Sequence, residues 1–311
     1  MRECLPGIVF ALLVLVASGC AKQETTYASL VLTLGASYNT GWCPWSVIAA
    51  DLNGDSLPDL VAANEYGDSV SVLMNNGDGG FSSRADYLVG NKPYSVVAAD
   101  WNGDSLPDLA VPSWSEDTVS VLMNSGRGDF PLRMDYLTGD RPFSVAAADL
   151  DGDLQPDLIV GNCGSDTVSV LLNAGEGTFR PRADYPAGHK PYSVAVADLD
   201  GDSHLDLLVA NRFSDTISVL LGEGDGTFQA KTDYPTGSLP SSIAIADLDG
   251  DSLEDIAVTA CGSEEVQVLL TNYLKRSCRF VVVGGPSVEN GRHKEATDGE
   301  TTSHRHDLGG T

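Results

Sequence analysis

The stretch Asp198-Leu-Asp-Gly-Asp-Ser-His-Leu-Asp206 decides the fold, because the chain contains five versions of it at one constant spacing. The aspartates that open the five copies are 49 residues apart. Other residue types keep the same period, among them Tyr38, Tyr87, Tyr136, Tyr185 and Tyr234, and Pro44, Pro93, Pro142, Pro191 and Pro240. A fixed period of this length without gaps indicates a tandem repeat of one supersecondary unit.

One repeat unit is predicted to contain four strands. Val and Ala alternate before the Asp-rich loop, as in Tyr192 to Ala197, and an apolar run follows it, as in Leu207 to Ala210. Thr216 to Leu221 alternates Thr and Ser with Ile and Val, which is the period of a half-buried strand. A Gly-x-Gly turn and a Phe lead into the fourth strand, which ends in Asp-Tyr. Four antiparallel strands in a unit of about 40–50 residues are typical of a propeller blade, so we predict an all-β propeller.

The strand count predicts five blades. Strands one to three occur five times, but strand four occurs only four times between repeats. A further copy of strand four precedes the first repeat, where Leu32 aligns with Phe81 and Tyr38 with Tyr87. We expect this N-terminal strand to complete the last blade and to close the ring, which would cover the exposed edges. The alternative is an open array that needs a partner.

The Asp-rich loops have the composition of metal sites. Oxygen-bearing side chains stand at positions 1, 3, 5 and 9 of each loop, and the carbonyl of position 7 is a further candidate ligand. The predicted ligands are Asp51, Asn53, Asp55, Leu57 and Asp59; Asp100, Asn102, Asp104, Leu106 and Asp108; Asp149, Asp151, Asp153, Gln155 and Asp157; Asp198, Asp200, Asp202, His204 and Asp206; and Asp247, Asp249, Asp251, Leu253 and Asp255. Calcium takes six to eight oxygen ligands, so we expect up to five Ca²⁺ ions, with Mg²⁺ second and Zn²⁺ disfavoured.

Two other interpretations of the loops are less favoured. The spacing resembles the first part of an EF-hand loop, but no Glu stands at position 12 and strands rather than helices flank the loop. An Asp-rich β-turn without metal is the second alternative. Three or four carboxylates in each of five nine-residue loops would repel one another without a cation, which favours the metal sites.

The repeat resembles the FG-GAP or VCBS repeat of integrin-α-like propellers. The shared features are the Asp-x-Asn/Asp-Gly-Asp loop, the Asp-Leu-x-Val run after it, the Val-Ser-Val-Leu strand and the turn Gly224 to Phe228. The resemblance covers about residues 30–272 and implies one calcium site per loop, between the first and second strands of a blade. The chain departs from the family at position 6, where Gly is usual and Ser or Leu154 stands here, and the family's rings commonly have seven blades.

The N-terminus is predicted to be an export signal. Ile8 to Val16 is an uncharged apolar run too short to span a bilayer, and small residues follow it before Cys20. This resembles the bacterial lipoprotein cleavage box, in which the cysteine carries the lipid; secretion without lipid is the alternative. We therefore divide the chain into a signal peptide at 1–20, a linker at 21–27, the propeller at 28–273 and a polar, disordered tail at 274–311, although Phe280 to Val283 could add one strand.

Composition limits the function. The chain of 311 residues has a formal charge of −26, which argues against nucleic-acid binding because phosphates require a basic surface. Basic residues recur before the repeated Pro (Lys92, Arg141, Lys190) and before Asp-Tyr (Arg84, Arg133, Arg182, Lys231). Pairing with neighbouring aspartates is the favoured interpretation, and a partner site is the alternative. The sequence Arg127-Gly128-Asp129 is interpreted as a plain hairpin turn.

The remaining motifs leave three functions open. A binding or adhesion module on the cell envelope is the first, and we expect a monomer attached to the membrane only through its lipid. A glycan-binding propeller would need exposed aromatic rings, for which Trp42 and Trp114 are the candidates. A hydrolase or lyase is disfavoured, since no catalytic motif is present and the inner strands carry Ser, Val, Ile and Ala. Cys163 and Cys261 are either isolated thiols or a bridge.

Overall fold

The computed structural model describes residues 35–82, 84–274, 277–278 and 281–282, with side-chain surroundings up to residue 272. Within these ranges the chain is all β and contains no helix. The described part therefore holds no helix with the length and apolarity of a membrane span. The predicted signal peptide, Cys20 and the linker lie outside the described residues, as does most of the predicted tail.

Five antiparallel four-stranded sheets follow one another along the chain, one per repeat, and form the blades of the propeller. The strands are Pro44–Ala50, Asp59–Asn64, Ser69–Leu73 and Ala85–Leu88 in blade 1; Val97–Ala99, Asp108–Ser113, Thr118–Met123 and Leu132–Leu137 in blade 2; Pro142–Ala148, Asp157–Asn162, Thr167–Leu171 and Ala183–Pro186 in blade 3; Pro191–Ala197, Asp206–Asn211, Thr216–Leu220 and Thr232–Pro235 in blade 4; and Pro240–Ala246, Asp255–Ala260, Glu265–Leu270 and Val281–Val282 in blade 5. Two short hairpins, Asn173–Gly175 with Thr178–Phe179 and Tyr273–Leu274 with Ser277–Cys278, complete the set.

The core lies between successive blades. Strands two and three of the first four blades are almost wholly buried: the middle of strand two is apolar on both faces, and strand three alternates Ser or Thr with Val or Ile. One cluster joins Val61 and Val70 of blade 1 to Leu109 and Val111 of blade 2. Burying each such side chain stabilises the fold by about 1.5–3 kcal/mol, so the blades stabilise one another by stacking.

Blade 5 differs from the others at its outer edge. Its strand Val281–Val282 pairs only with Leu270 and Leu269, which leaves the start of the third strand without that neighbour. Val266 is consequently 64% exposed, whereas Ile217 at the equivalent position of blade 4 is fully buried. The structure thus does not show the predicted closure by the N-terminal strand, and residues 28–34 of that strand lie outside the described part.

One N-terminal residue nevertheless occupies a fourth-strand position. The ring of Tyr38 packs edge-on against Phe81 of blade 1 at 5.3 Å, as Tyr87 packs against Phe130 of blade 2 at the same distance. The Gly41 N–H also donates to the Ser71 hydroxyl, as the Gly90 N–H does to Ser120. Closure by this segment therefore stays a prediction with partial geometric support on the blade 1 side.

The strand order gives the propeller two unlike ends. The loops between strands one and two and the turns between strands three and four lie at one end, which we call the loop face. The turns between strands two and three and the connections from strand four to the next blade lie at the other end. Both ends carry the side chains considered below.

Candidate metal sites and an aromatic face

Each Asp-rich loop bends through left-handed residues. Position 4 is always Gly, with φ of 77° at Gly54 and 85° at Gly250. Position 6 has no Gly, yet its φ lies between 68° and 71° at Ser56, Ser105, Leu154, Ser203 and Ser252. This left-handed conformation suits a Gly, which is the family's usual residue, and it costs each non-Gly residue on the order of 1 kcal/mol.

The aspartate at position 9 joins three segments of a blade. One oxygen of Asp206 accepts the N–H of Leu199 at 2.9 Å, and the other accepts the N–H of Gly222 at 2.8 Å. The first donor belongs to the loop and the second follows strand three. The same pair of bonds recurs at Asp59, Asp108, Asp157 and Asp255. These buried carboxylates therefore hold each loop against its own blade.

Burial perturbs these carboxylates. It raises the pKa of Asp108, Asp157 and Asp206 from 3.8 to about 6, and the negative charges of the same loops add to the effect, although the backbone N–H groups oppose it. Burial and then the neighbouring Asp153 and Asp202 carboxylates likewise raise the pKa of Asp151 and Asp200. A bound cation would favour the ionised form of all five groups.

The aspartate at position 1 orders the loop backbone. One oxygen of Asp51 accepts the N–H of Gly54 at 2.8 Å, and the other accepts the N–H of Ser56 at 2.7 Å. The position 5 carboxylate of Asp55 accepts the N–H of Leu57 at 2.8 Å. Backbone donors thus fix the directions of the two carboxylates in this loop.

The donor set fits calcium. Carboxylate oxygens lie within 4.8 Å of one another in three groups, namely Asp149, Asp151 and Asp157; Asp198, Asp200 and Asp206; and Asp247, Asp249 and Asp251. Two oxygens that bind one Ca²⁺ at about 2.4 Å stand at most about 4.8 Å apart. Positions 1 and 3 meet in all three groups, joined by position 9 in loops three and four and by position 5 in loop five. Loops one and two have an Asn amide at position 3 instead of a third converging carboxylate.

The basic residues before Asp-Tyr pair with that aspartate, as predicted. The distances are 3.2 Å for Arg84 and Asp86, 2.8 Å for Arg133 and Asp135, and 2.9 Å for Arg182 and Asp184, and Lys231 pairs with Asp233. The sequence Arg127 to Asp129 forms the predicted hairpin turn, in which the Ser125 N–H donates to the Asp129 carbonyl at 2.9 Å.

Aromatic side chains gather at the end opposite the loop face. The residue after the repeated Pro is aromatic in four blades, and Phe143 stacks on Tyr94 at 4.8 Å and on Tyr192 at 3.9 Å. Trp45 meets Tyr94 edge-on at 5.1 Å, and Trp114 meets Phe143 at 5.9 Å. With the neighbouring rings they form the aromatic face, which consists of Trp42, Trp45, Tyr66, Tyr94, Trp114, Phe143, Tyr192 and Phe213.

Charged groups are interleaved with these rings. The Tyr94 hydroxyl donates to the buried Glu65 carboxylate at 2.9 Å. Burial and this hydrogen bond raise the pKa of Tyr94, so the phenol remains a donor. The Arg141 guanidinium lies 5.9 Å from the Trp114 ring centre, and that of Arg212 lies 4.7 Å from the Tyr192 ring centre.

Most of the aromatic face was not predicted from the sequence. The expectation that the inner strands carry only small and aliphatic residues is wrong for the positions of Trp45, Tyr94, Phe143 and Tyr192. Their 49-residue spacing was the available signal. Trp42 is exposed as expected, whereas Trp114 is half-buried against its neighbours.

The described cysteines form no disulfide. Cys163 and Cys261 are both reduced, so the possible bridge between them is not formed. Burial raises the pKa of the Cys163 thiol to about 12, which keeps it protonated and unreactive.

Sequence comparison matches the chain to one family. The family model described as FG-GAP-like repeat matches residues 51–111, 153–209 and 198–258, together more than half of the chain. The matched ranges contain four of the Asp-rich loops whole and the second half of loop three. No curated protein sequence is similar enough to count as a relative.

Solved structures resemble the chain in fold. An Agrocybe aegerita lectin that recognises non-reducing terminal N-acetylglucosamine is 24% identical with a TM-score of 0.52, over 78% of this chain and 64% of the lectin. A Desulfotomaculum acetoxidans protein of unknown function is 14% identical with a TM-score of 0.56, over 80% and 70%. A candidate 6-phosphogluconolactonase from Bacteroides fragilis is 15% identical with a TM-score of 0.55, over 72% and 66%. The chain thus spans less than two thirds of the lectin, and at these identities the likeness concerns the fold alone.

Proposed function

The chain belongs to the FG-GAP-like repeat family, and from that premise we propose that it is a calcium-stabilised β-propeller that serves as a binding module on the cell envelope. The Asp-rich loops carry this proposal, since the carboxylate oxygens of loops three, four and five converge with the spacing of a calcium site. Calcium would neutralise carboxylates whose pKa burial has raised, and would thereby stabilise each blade rather than take part in a reaction.

A binding role accounts for the other end of the molecule. Trp42, Tyr66 and Phe213 are 71%, 45% and 57% exposed, and exposed apolar patches mark interaction sites on soluble proteins. The ligand is a protein or a glycan outside the cell. The likeness to an N-acetylglucosamine-binding lectin makes a glycan worth testing, and the exposed rings favour it.

We regard catalysis as the weaker alternative. The likeness to a candidate lactonase is a likeness of fold. The stacked Tyr94, Phe143 and Tyr192 fill the space where the inner strands begin, which is where a propeller enzyme would need converging polar groups. Lipid attachment at Cys20 would place the module on the envelope and leave both ends of the propeller accessible.

Calcium titration tests the structural half of this proposal. Isothermal titration of the chelator-treated protein should show several Ca²⁺ ions bound, up to five. A matched variant, Asp198→Asn with Asp200→Asn, should bind one ion fewer, because loop four loses two converging carboxylates. Absence of calcium binding by the wild-type protein would contradict the proposal.

Fractionation tests the envelope half. The full-length chain should be recovered with membranes, and Cys20→Ala should release it to the soluble exported fraction. Recovery of the wild-type chain in the cytoplasm would contradict an envelope role, and an unchanged distribution of Cys20→Ala would contradict lipid attachment.

A further inference from the structure

We propose that the aromatic face binds an acidic carbohydrate, with sugar rings lying on exposed aromatic faces and sugar carboxylates held by nearby guanidinium groups. The inference rests on the proposed binding role and names the site and the ligand class. Four observations support it.

The exposed aromatic rings are not part of the structure that every repeat shares. Trp42 lies 5.2 Å from Tyr66, and Phe213 lies 5.8 Å from His189, so two aromatic pairs stand in the turns of blades 1 and 4. Blades 2, 3 and 5 have no aromatic residue at any of these turn positions. The rings are therefore not required by the repeat, because other blades form the same turns without them.

The basic side chains at the aromatic end differ from the other basic side chains in their ion pairing. Arg84, Arg182 and Lys231 each have an aspartate within ion-pair distance. In contrast, the basic side chains at the aromatic end, namely Lys92, Arg141, Lys190 and Arg212, form no ion pair with any described carboxylate within 4.0 Å. Basic side chains without an ion pair are unexpected in a chain with a formal charge of −26, and they favour an anionic group on the ligand.

Carboxylates at the same end accept hydrogen bonds from backbone N–H groups. Asp68, Asp117 and Asp166 accept the backbone N–H groups of Lys92, Arg141 and Lys190 at 3.0, 2.8 and 2.9 Å. Asp166 also pairs with the His189 ring at 2.9 Å, whereas none of the three carboxylates lies within 4.0 Å of a side-chain nitrogen of Lys92, Arg141 or Lys190. At physiological salt the Debye length is about 8 Å, so a short anionic ligand is governed by the nearby guanidinium groups more than by the distant loop carboxylates.

The mixture of aromatic rings and charged groups favours a sugar over a protein as the ligand. The cores of protein interfaces are enriched in Arg but depleted of Lys, Glu and Asp. Here the Glu65 carboxylate is bonded to Tyr94 among the rings, and Lys92 and Lys190 lie at the same end. Alternating flat apolar faces and charged hydrogen-bonding groups match the C–H faces, hydroxyls and carboxylates of an acidic sugar. The guanidinium groups already on the rings also disfavour a cationic ligand.

The test is an array of immobilised oligosaccharides that includes uronate-containing, sialylated and neutral members, probed with the calcium-loaded protein. We expect binding to acidic members and weaker binding to neutral ones of the same backbone. Binding confined to neutral glycans, or to none, overturns the proposal.

Variants then locate the site, with the strongest acidic glycan from the array as the probe. Arg212→Ala and Trp42→Ala should each raise the Kd about tenfold, because the first removes a charge-assisted contact and the second removes an exposed stacking ring. Arg182→Ala is the matched control, because Arg182 is an arginine of the same blade series that pairs with Asp184, and its Kd should stay within about twofold. Circular dichroism and the melting temperature establish that each variant is folded.

The outcomes separate this inference from the proposed function. Equal weakening by Arg182→Ala and Arg212→Ala would place the glycan elsewhere and overturn the site. A protein ligand that competes at the aromatic face, with no glycan bound, would overturn the ligand class and leave the binding module intact. Loss of calcium binding, measured separately, concerns only the structural half of the proposed function.

Discussion

The two ends of the propeller differ in how closely the repeats copy one another. At the loop face, positions 1, 5 and 9 are Asp in every repeat and the same backbone bonds recur. At the aromatic end, the residue that is Glu65 in blade 1 is Trp114, Cys163, Arg212 and Cys261 in the others. The repeated end builds and stabilises the blades, whereas the end that varies is free to recognise one ligand. Substitutions at the two ends should therefore separate stability from binding.

The largest contrast is between two tryptophans. Trp101, in loop two, is 1% exposed and belongs to the core between blades 2 and 3, whereas Trp42 is 71% exposed. Trp101→Ala should lower the free energy of unfolding by about 3–5 kcal/mol, because it opens a cavity. Trp42→Ala should change it by less than about 0.5 kcal/mol. Urea denaturation measures both, and a similar cost for the two would break the distinction between the ends.

A smaller effect is expected at position 9. Asp206→Ala leaves the buried N–H groups of Leu199 and Gly222 without their acceptor, which should cost about 2–4 kcal/mol. Asp206→Asn keeps one carbonyl acceptor and should cost less in chelator. Chemical denaturation in chelator compares the variants. If Asp206→Ala were as stable as the wild-type protein, the carboxylate would not hold the loop.

The pH dependence should follow the buried carboxylates. The folded-state pKa of Asp206 is raised to about 6, so the carboxyl favours the folded state while it is protonated, and this contribution is lost as the pH rises through that value. In chelator, the wild-type protein should lose about 1 kcal/mol between pH 5 and pH 7 relative to Asp206→Asn, which cannot titrate there. Unfolding curves at the two pH values measure this difference. Calcium should abolish it, and a wild-type protein that gains stability with pH in chelator would contradict the sign.

The smallest effect concerns position 6. Leu154 has a φ of 68° and is 90% exposed, so Leu154→Gly removes backbone strain and little packing. We expect a gain of about 0.5–1 kcal/mol in thermal or urea unfolding. Leu137→Gly is the control, since this leucine is 69% exposed in a regular strand and its replacement should destabilise. A loss of stability in Leu154→Gly would show that the loop does not carry the inferred strain.

The sequence predicted the repeated end well and the other end poorly, for a physical reason. Local alternation and turn residues define strands such as Thr216–Leu220, and five copies of one loop predict its candidate ligands. The aromatic face is assembled from residues one whole repeat apart, which meet only when blades are arranged side by side. A strand within residues 280–283 was anticipated, but its pairing with the edge of blade 5 was not, because the pairing of Leu269 with Val282 involves a segment outside the repeat.

Thermal unfolding with and without calcium tests the central claim most directly. A ligand bound only by the folded state stabilises it by about 2.7 kcal/mol per site at a concentration one hundred times its Kd. Several loops acting together should therefore lower the melting temperature by many degrees when excess EGTA replaces saturating Ca²⁺, and added calcium should restore it. An identical melting temperature in EGTA and in calcium would contradict the account of the Asp-rich loops as structural calcium sites.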